Sequence, residues 1–258
     1  MAAVVAARPA TALAAVALSI GACATAPVAR SRPDAATVIC DRAGGRWEAS
    51  TQKCTATVTK SAGDITITAT YPAQLVSTDG PGQVLTTFLD KFFAGYRNAP
   101  DHAHGTVELT YQMFQGSSTG TESVDFGEYS FLGGAHPNMA VHTFTFDRDR
   151  RTQIQLTELL CGRDPDATLP PLVRPYLQRV LDQHNARMPG TPPLQAPEFE
   201  PAPPGSTQLT YVESYDAWVI DGDMLVLLLP SARQGPVGAA LLTTEVPLNV
   251  VRDPACAA

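Results

Sequence analysis

Serine and histidine residues in polar, turn-rich segments are the side chains of this sequence that could supply a nucleophile or a base. Ser117 and Ser206 each follow a glycine, and hydroxyl side chains are expected at such turns because they bond to the local backbone. The pair His102 and His104 could chelate a metal ion, but no carboxylate stands at a supporting spacing, and a solvated loop is the simpler interpretation. We therefore assign no catalytic residue, no metal and no cofactor.

His136 stands in a turn that could display it. Gly133 and Gly134 permit positive backbone dihedral angles, and Pro137 fixes the next step of the chain, so the imidazole is expected at the tip of a hairpin. Connecting loops carry recognition sites, but the ring can equally cap a nearby carbonyl. Both interpretations stay open. The candidate binding residues are Gly133, Gly134, His136, Pro137 and Asn138.

The first residues of the chain have the character of an export signal. Arg8 precedes an apolar run of signal-peptide length, which is too short for a permanent membrane span. Small residues stand directly before Cys23, as in a bacterial lipobox, in which the cysteine is acylated and becomes the first residue of the mature chain. The alternative is ordinary cleavage near Ala22 or Ala26, beside an unmodified cysteine.

These features divide the chain into three segments. We expect a signal peptide over 1–22, a lipid anchor and tether over 23–38 with Cys23 as the attachment site, and one domain over 39–258. The protein should then lie outside the cytoplasm, held at the outer face of the cell membrane or the cell wall, or be secreted.

The other four cysteines form an even set, which favours disulfides in an oxidising compartment. Cys40 and Cys54 enclose a short turn-rich segment and are the natural local pair, with a stabilisation of about 3 kcal/mol in the chain-entropy model. Cys161 and Cys256 then pair by elimination. The sequence contains no C-x-x-C, which closely spaced metal ligands would require.

Two patterns in the first half of the domain predict a sheet covered by a helix. β-branched residues alternate on both sides of a turn near Gly63, which indicates a hairpin. Apolar residues at helical spacing from Val84 to Tyr96 indicate an amphipathic helix. Three alternating runs follow, and His142 falls in the last of them beside Phe144, so it is interpreted as a histidine at the edge of the core.

The second half of the domain alternates helix and loop before it returns to strands. Apolar spacing from Leu172 to Leu181 predicts a second amphipathic helix, opened by Pro170 and Pro171. Seven prolines over 189–206 predict an extended surface loop. Asp221-Gly222 then marks a hairpin. Strands interrupted by two helices, without regular βαβ alternation, predict an α+β domain with a mainly antiparallel sheet.

Composition limits the classes of partner. Of the 258 residues, 44% are hydrophobic, which is enough to bury a core, and the net charge is −7 at pH 7. A negative surface gains no affinity by releasing phosphate counterions. Nucleic acid is therefore not expected as a partner.

The order of these features resembles the mycobacterial secreted immunogenic proteins of the MPT/MPB antigen type, which are relatives of the RsiV-type extracellular domain of unknown function. The resemblance covers roughly Cys40 to Leu248, and its most specific piece is Gly133-Gly-Ala-His-Pro137. It implies a secreted or membrane-tethered α+β domain. Relatives include a lysozyme-sensing anti-sigma ectodomain, the accessory half of a peptidoglycan deacetylase, and mycobacterial members described as cell-wall esterases.

The sequence departs from these relatives in places. No cytoplasmic segment or spanning helix precedes Cys23, so sigma-factor regulation is not expected, and Leu227 to Pro236 lacks the aromatic residues and glutamate of the RsiV-type turn. We expect an exported, lipid-anchored binding module for an extracellular protein such as lysozyme or for a cell-wall component. The alternative is a cell-wall-associated carboxylic-ester hydrolase.

Overall fold

A seven-stranded sheet is the largest element of the computed structural model, which describes residues 34–201, 215–229 and 242–252. Its strands stand side by side in chain order: β1 (Arg46–Glu48), β2 (Lys53–Lys60), β3 (Gly63–Thr70), β4 (Gly105–Gln115), β5 (Thr121–Phe131), β6 (Asn138–Asp147) and β7 (Thr152–Gln153). Neighbours are antiparallel except β3 and β4, which are parallel because a long helical crossover joins them. The predicted α+β class with a mainly antiparallel sheet is confirmed.

The hairpin of β2 and β3 follows the alternation of its sequence. Ala56 lies opposite Ile67 in the register, and both side chains are buried, whereas Thr57 lies opposite Thr66, and both are exposed. Successive side chains of a strand point to opposite faces. One face of the sheet is thus apolar and the other carries rows of threonine.

The crossover helix covers the apolar face. It comprises α2 (Ala73–Val76) and α3 (Pro81–Arg97), and α3 buries Leu85, Leu89 and Phe93 against the sheet. The ring of Phe88 lies 5.0 Å from that of Phe126 and 5.2 Å from that of Phe144. The aromatic periodicity that predicted a helix therefore marks its sheet-facing side.

Helix α1 (Ala35–Arg42) begins four residues before the expected start of the domain at 39. The Asp34 carboxylate accepts a hydrogen bond from the Ala36 N–H, which caps the helix. Ala36 and Ile39 are buried in the core. The last residues of the predicted tether 23–38 are therefore helical, because a cap and buried apolar side chains fix them.

A disulfide joins α1 to β2. Cys40 and Cys54 are bonded, with their Cα atoms 5.6 Å apart, and both are fully buried. The local pairing predicted from the sequence is confirmed.

A second, smaller sheet carries the late hairpin. Its strands are β8 (Trp218–Asp221), β9 (Met224–Leu228) and β10 (Thr243–Pro247), in the order β10-β9-β8, and both pairings are antiparallel. Helices α4 (Leu156–Leu159), α5 (Pro165–Arg187) and α6 (Leu248–Val251) accompany it. Leu177 and Leu181 of α5 pack with Leu225 and Val246 into a second core. The hairpin at Asp221-Gly222 is confirmed, but it builds its own sheet.

Helix α5 starts earlier than its prolines indicate. The expected opening was Pro170, yet the helix begins at Pro165 behind the capping side chain of Asp164 and holds three interior prolines. An interior proline removes a helical hydrogen bond and disfavours the helix by about 3 kcal/mol. The helix persists because Leu169, Leu177 and two further residues of the same stripe are completely buried.

The proline-rich segment is only partly an extended loop. Residues 189–201 of the predicted loop 189–206 are described, and they include a 3-10 turn, Ala196–Phe199. Ala196 and Phe199 are fully buried in the second core. Glu200 is 7% exposed and accepts two hydrogen bonds of 2.7 Å from Arg174. Buried apolar side chains and this ion pair hold the segment against α5.

Strand β8 crosses the threonine-bearing face of the large sheet. Its Ile220 N–H donates to the Ser123 hydroxyl at 3.1 Å, and its Trp218 N–H donates to the Thr143 hydroxyl at 3.0 Å. Val219 packs against Phe114 and Val141 of the large sheet. The small sheet thus covers one end of this face, and the other end faces solvent.

Among the described ranges, no helix combines the length and the apolar composition that a membrane span requires.

Candidate functional site

Three large hydrophobic side chains lie on the uncovered part of the large sheet. Tyr129 is 37% exposed, Phe131 is 38% exposed and Met139 is 43% exposed. Tyr129 and Met139 are directly opposite each other in the pairing of β5 and β6. Phe131 follows Tyr129 by two residues, so it lies on the same face. We call these three residues the exposed apolar patch.

The predicted turn lies at the end of the same hairpin. Gly133 has φ +83° and passes directly over the imidazole of His104, where a Cβ atom would lie 2.9 Å from Cε1. His136 is exposed, and its Nδ1 lies 3.2 Å from the carbonyl oxygen of Pro137. Asn138 begins β6 opposite Ser130. The turn is displayed at the surface beside Phe131, and a binding role for its residues stays a prediction.

Polar side chains border the exposed apolar patch on the side of β4. Glu108 lies opposite Tyr129 and Thr106 lies opposite Phe131, and both are exposed. Thr66 of β3, opposite Thr106, extends the polar surface. The arrangement places an apolar centre next to hydroxyl groups and one carboxylate, which is a surface suited to contact with another molecule.

The opposite face of the sheet holds a hydrogen-bonded group of ionisable side chains. His142 Nε2 lies 2.9 Å from Glu128 Oε2, and the Tyr96 hydroxyl donates to the other oxygen of Glu128. Burial alone would raise the pKa of Glu128, but the hydrogen bonds from His142 and Tyr96 outweigh it and lower that pKa. Burial, aided by the bond to Glu128, raises the pKa of Tyr96. Glu128 is thus held as a carboxylate.

This group does not form a catalytic triad within the described residues. A carboxylate that orients a histidine is one part of a triad, but a hydroxyl must also bond to the free ring nitrogen. No described hydroxyl makes that bond to His142, whose ring instead lies 4.9 Å from that of Phe88 on α3. The interpretation of His142 as a residue at the edge of the core agrees with this packing.

The sequence also contains one G-x-S-x-G pattern, Gly116 to Gly120, with Ser118 at its centre. A nucleophile elbow requires that pattern between a strand and a helix. Here it forms the turn between the antiparallel strands β4 and β5, where Ser118 is exposed. Its neighbour Ser117 donates its backbone N–H to Gly222 at the junction with the small sheet. The geometry is that of a hairpin turn.

The two histidines that could chelate a metal lie in one loop. His104 Nδ1 lies 3.2 Å from the carbonyl oxygen of His102, and both residues are exposed in a loop. Among the residues that the structure describes, no group of three or more histidines, cysteines or acidic residues is arranged to hold a metal.

Cys161 is disulfide-bonded. Its predicted partner Cys256, like Cys23, the signal peptide 1–22 and Ser206, lies outside the described residues, so the pairing stays a prediction.

The exposed apolar patch was missed by sequence reasoning. Tyr129 and Phe131 belong to the same alternating strand as Val124 and Phe126, and the pattern alone does not say which side is covered. The available signal was that β5 carries aromatic residues on both faces, Phe126 on one and Tyr129 and Phe131 on the other.

Comparison with known proteins finds similarity to solved structures alone. No protein-family model matches the sequence, and no curated protein matches it. A DUF3298 family protein from Pseudomonas aeruginosa PAO1 is similar at TM-score 0.47 and 13% identity, covering 79% of this chain and 94% of that one. A member of the same family from Bacteroides fragilis NCTC 9343 is similar at TM-score 0.41 and 13% identity, covering 76% and 88%. Both of these similar structures are DUF3298 family proteins, and the resemblance to the mycobacterial antigens stays a prediction.

Proposed function

We propose that this chain is an exported binding module of the cell envelope, anchored by lipid at Cys23 and without catalysis of its own. Its recognition surface is the exposed apolar patch together with the turn that contains His136. Its partner is a cationic extracellular protein.

One observation carries this proposal: Tyr129, Phe131 and Met139 lie exposed together on the part of the sheet face that the small sheet leaves uncovered. Contiguous exposed apolar groups on a soluble domain mark interaction sites. Aromatic residues and methionine are enriched in the buried centres of protein interfaces, and polar side chains form the rim. The hydroxyl groups and Glu108 beside the patch supply such a rim.

Charge supports a cationic partner. The chain has a net charge of −7, and the removal of Arg8 with a signal peptide would leave −8. The exposed carboxylate of Glu108 stands next to the patch. Complementary charge speeds the encounter of two proteins and disfavours partners of like charge. An ester hydrolase draws no comparable support, since the described residues bring no serine to a histidine.

The binding proposal predicts that the purified chain binds lysozyme, used here as a cationic probe protein. Met139→Ala and Phe131→Ala should weaken binding at least tenfold, because residues at an interface centre contribute about 2 kcal/mol or more. His136→Ala should also weaken binding. All three variants should keep the melting temperature, because exposed substitutions change stability by at most about 0.5 kcal/mol. Calorimetric titration and thermal unfolding measure the two effects.

Two controls sharpen this test. Met188→Ala removes a methionine of similar exposure, 38%, from the end of α5, and it should leave binding unchanged. Acetylated lysozyme, whose lysine charges are removed, should bind more weakly than lysozyme. Absence of lysozyme binding by the wild type, or equal losses for Met139→Ala and Met188→Ala, would contradict the proposed function.

The anchor proposal predicts that Cys23→Ser releases the protein from membranes or leaves it unprocessed. Two or three acyl chains hold a domain at a membrane because each buried methylene contributes about 0.8 kcal/mol. Cell fractionation and metabolic labelling with a fatty acid measure the anchor. A wild-type chain that carries no acyl label and a variant that stays in the membrane fraction would together refute it.

A further inference from the structure

We infer that two copies of this chain pair through the outer edge of β6 and form one continuous sheet. The pairing is antiparallel, about a two-fold axis at Ala140. It goes beyond the proposed function, because it gives the chain an oligomeric state that holds with or without another partner. The inference combines the open edge of β6, the direction of its backbone groups and the match of its side chains to those of a second copy.

Most of the outer edge of β6 is open. Strand β7 pairs only with Phe146 and Asp147, and the backbone N–H of Ile154 donates to the Thr145 carbonyl oxygen at 2.8 Å. No other described strand pairs with this edge. Residues 138–143 of β6 therefore have no strand beside them on this side within the described part of the chain.

The bond from Ile154 to Thr145 fixes the direction of the backbone groups along this edge. The N–H and C=O of one residue point to the same side of a strand, and the side alternates from residue to residue. The backbone groups of Met139 and Val141 therefore point outward, as those of Thr145 do, whereas those of Ala140 point to β5. An added antiparallel strand would meet a donor and an acceptor at Met139 and again at Val141.

The open stretch lacks the features that protect sheet edges from pairing. Native edges are protected by short strands, charged side chains, proline or bulges. Strand β1, at the other edge, has three residues, and two of them are Arg46 and Glu48. Residues 138–143 contain no proline, lysine, arginine or acidic residue, and the pairing of β5 with β6 runs without a bulge. This edge is therefore suited to pair with another strand.

The side chains of this edge match those of a second copy. In an antiparallel pair centred on Ala140, Met139 lies opposite Val141 of the second copy, and Asn138 lies opposite its His142. An apolar side chain then meets an apolar one on the face of the exposed apolar patch, and an amide meets an imidazole on the other face. Because the stretch carries no acidic residue, two chains of net charge −7 can meet there without direct repulsion. A second copy is thus the occupant that this edge fits.

Pairing at the edge leaves both faces of the sheet open. Residues opposite each other in two paired strands lie on the same face. The exposed apolar patches of the two copies therefore lie on one face of the continuous sheet. Two linked recognition surfaces bind a repeated partner more tightly than one does, and this consequence alone rests on the proposed function.

Cysteine cross-linking of the full chain tests the register. The two Ala140 Cα atoms would be about 4.5 Å apart, within the usual range of about 4.4–6.8 Å for a disulfide. Ala140→Cys should therefore give a covalent dimer on a non-reducing gel. Asn138→Cys is the matched control, because Asn138 is also exposed on the same face of β6. Its two copies would be about 13 Å apart along the strands, so this variant should stay monomeric.

Charge reversal at the axis tests the pairing without a covalent bond. On a Cys23→Ser background, which has no site for lipid, sedimentation should show the mass doubling as the concentration rises. Ala140→Lys and Ala140→Glu should each stay monomeric, because like charges directly opposite each other are unfavourable, and an equimolar mixture of the two should dimerise. Thr57→Lys, at an exposed position of β2 near the other edge, should dimerise as the unsubstituted chain does.

The inference is overturned by any of three results. The first is a chain that stays monomeric throughout the concentration series. The second is equal cross-linking of Ala140→Cys and Asn138→Cys, with the wild type as the control for links through native cysteines. The third is a mixture of Ala140→Lys and Ala140→Glu that stays monomeric. No lysozyme is present in these measurements, so failure of this inference is distinguishable from failure of the proposed function.

Discussion

Phe126→Ala is expected to lower the free energy of unfolding by about 3–5 kcal/mol, the usual range for a large buried aromatic side chain. Phe126 is 0% exposed at the centre of the face that α3 covers. Its ring lies 5.0 Å from Phe88, 6.1 Å from Phe144 and 6.4 Å from Tyr111. Truncation would leave a cavity among rings that belong to one helix and two strands. Chemical denaturation measures the effect.

Phe131→Ala is the matched control for this change, because Phe131 belongs to the same strand but is 38% exposed on the other face. We expect it to change stability by at most about 0.5 kcal/mol. A similar loss for both variants would mean that the exposed apolar patch is part of a core, and it would count against the proposed recognition surface.

Replacing Cys40 and Cys54 together by serine is expected to lower the free energy of unfolding by about 3 kcal/mol. The bond closes a loop with a sequence separation of 14 residues. Both residues are fully buried, and the backbone of Gly45 packs against both sulfur atoms so closely that a Cβ atom there would lie within 3 Å of each. For a chain of this size, each kcal/mol corresponds to a fall in melting temperature of about 2–4 °C.

Reduction distinguishes the stability contribution of the Cys40–Cys54 bond from that of the bond at Cys161. Treating the wild type with dithiothreitol should remove the contribution of the Cys40–Cys54 bond and that of the bond at Cys161. Treating the serine variant should remove the second contribution alone. A double variant as stable as the wild type would show that α1 and β2 are held together by packing without help from the bond.

The elements that were predicted well are those whose own sequence pattern decides their structure. The hairpin of β2 and β3 alternates strictly, and α3 has an apolar stripe of helical period, so each pattern specifies both the element and its buried face. The Asp221-Gly222 turn depends on local backbone chemistry. Each of these features can be predicted without knowing which distant segments of the chain pack against it.

The features that were missed depend on contacts between distant segments. Met224 to Leu228 is a continuous apolar run, which does not say whether it joins the large sheet or starts another. The backbone of β8 donates hydrogen bonds to the hydroxyl groups of Ser123 and Thr143, and these contacts hold the small sheet against the large one. Nothing in the sequence around these two polar residues predicts the contacts. The start of α5 was missed because prolines lower helix propensity locally while distant strands bury its apolar stripe.

The candidate binding residues likewise divide into those that local sequence predicts and those that depend on distant contacts. The turn around His136 was found because glycine and proline fix its conformation. Phe131 could not be distinguished from Phe126 in the sequence, since the packing of α3 decides which face of β5 is buried and the position of the small sheet decides which end of the other face stays open.

The order of strands in the large sheet also bears on how the chain assembles. Each strand from β2 to β7 pairs with the strand that precedes it in the chain, so nearly every pairing closes a short loop. The exception is β3 with β4, which must wait for the roughly forty residues between Ile65 and Gly105 to form the crossover. The sheet can therefore grow from one edge to the other in chain order, without any strand being inserted between two that are already paired.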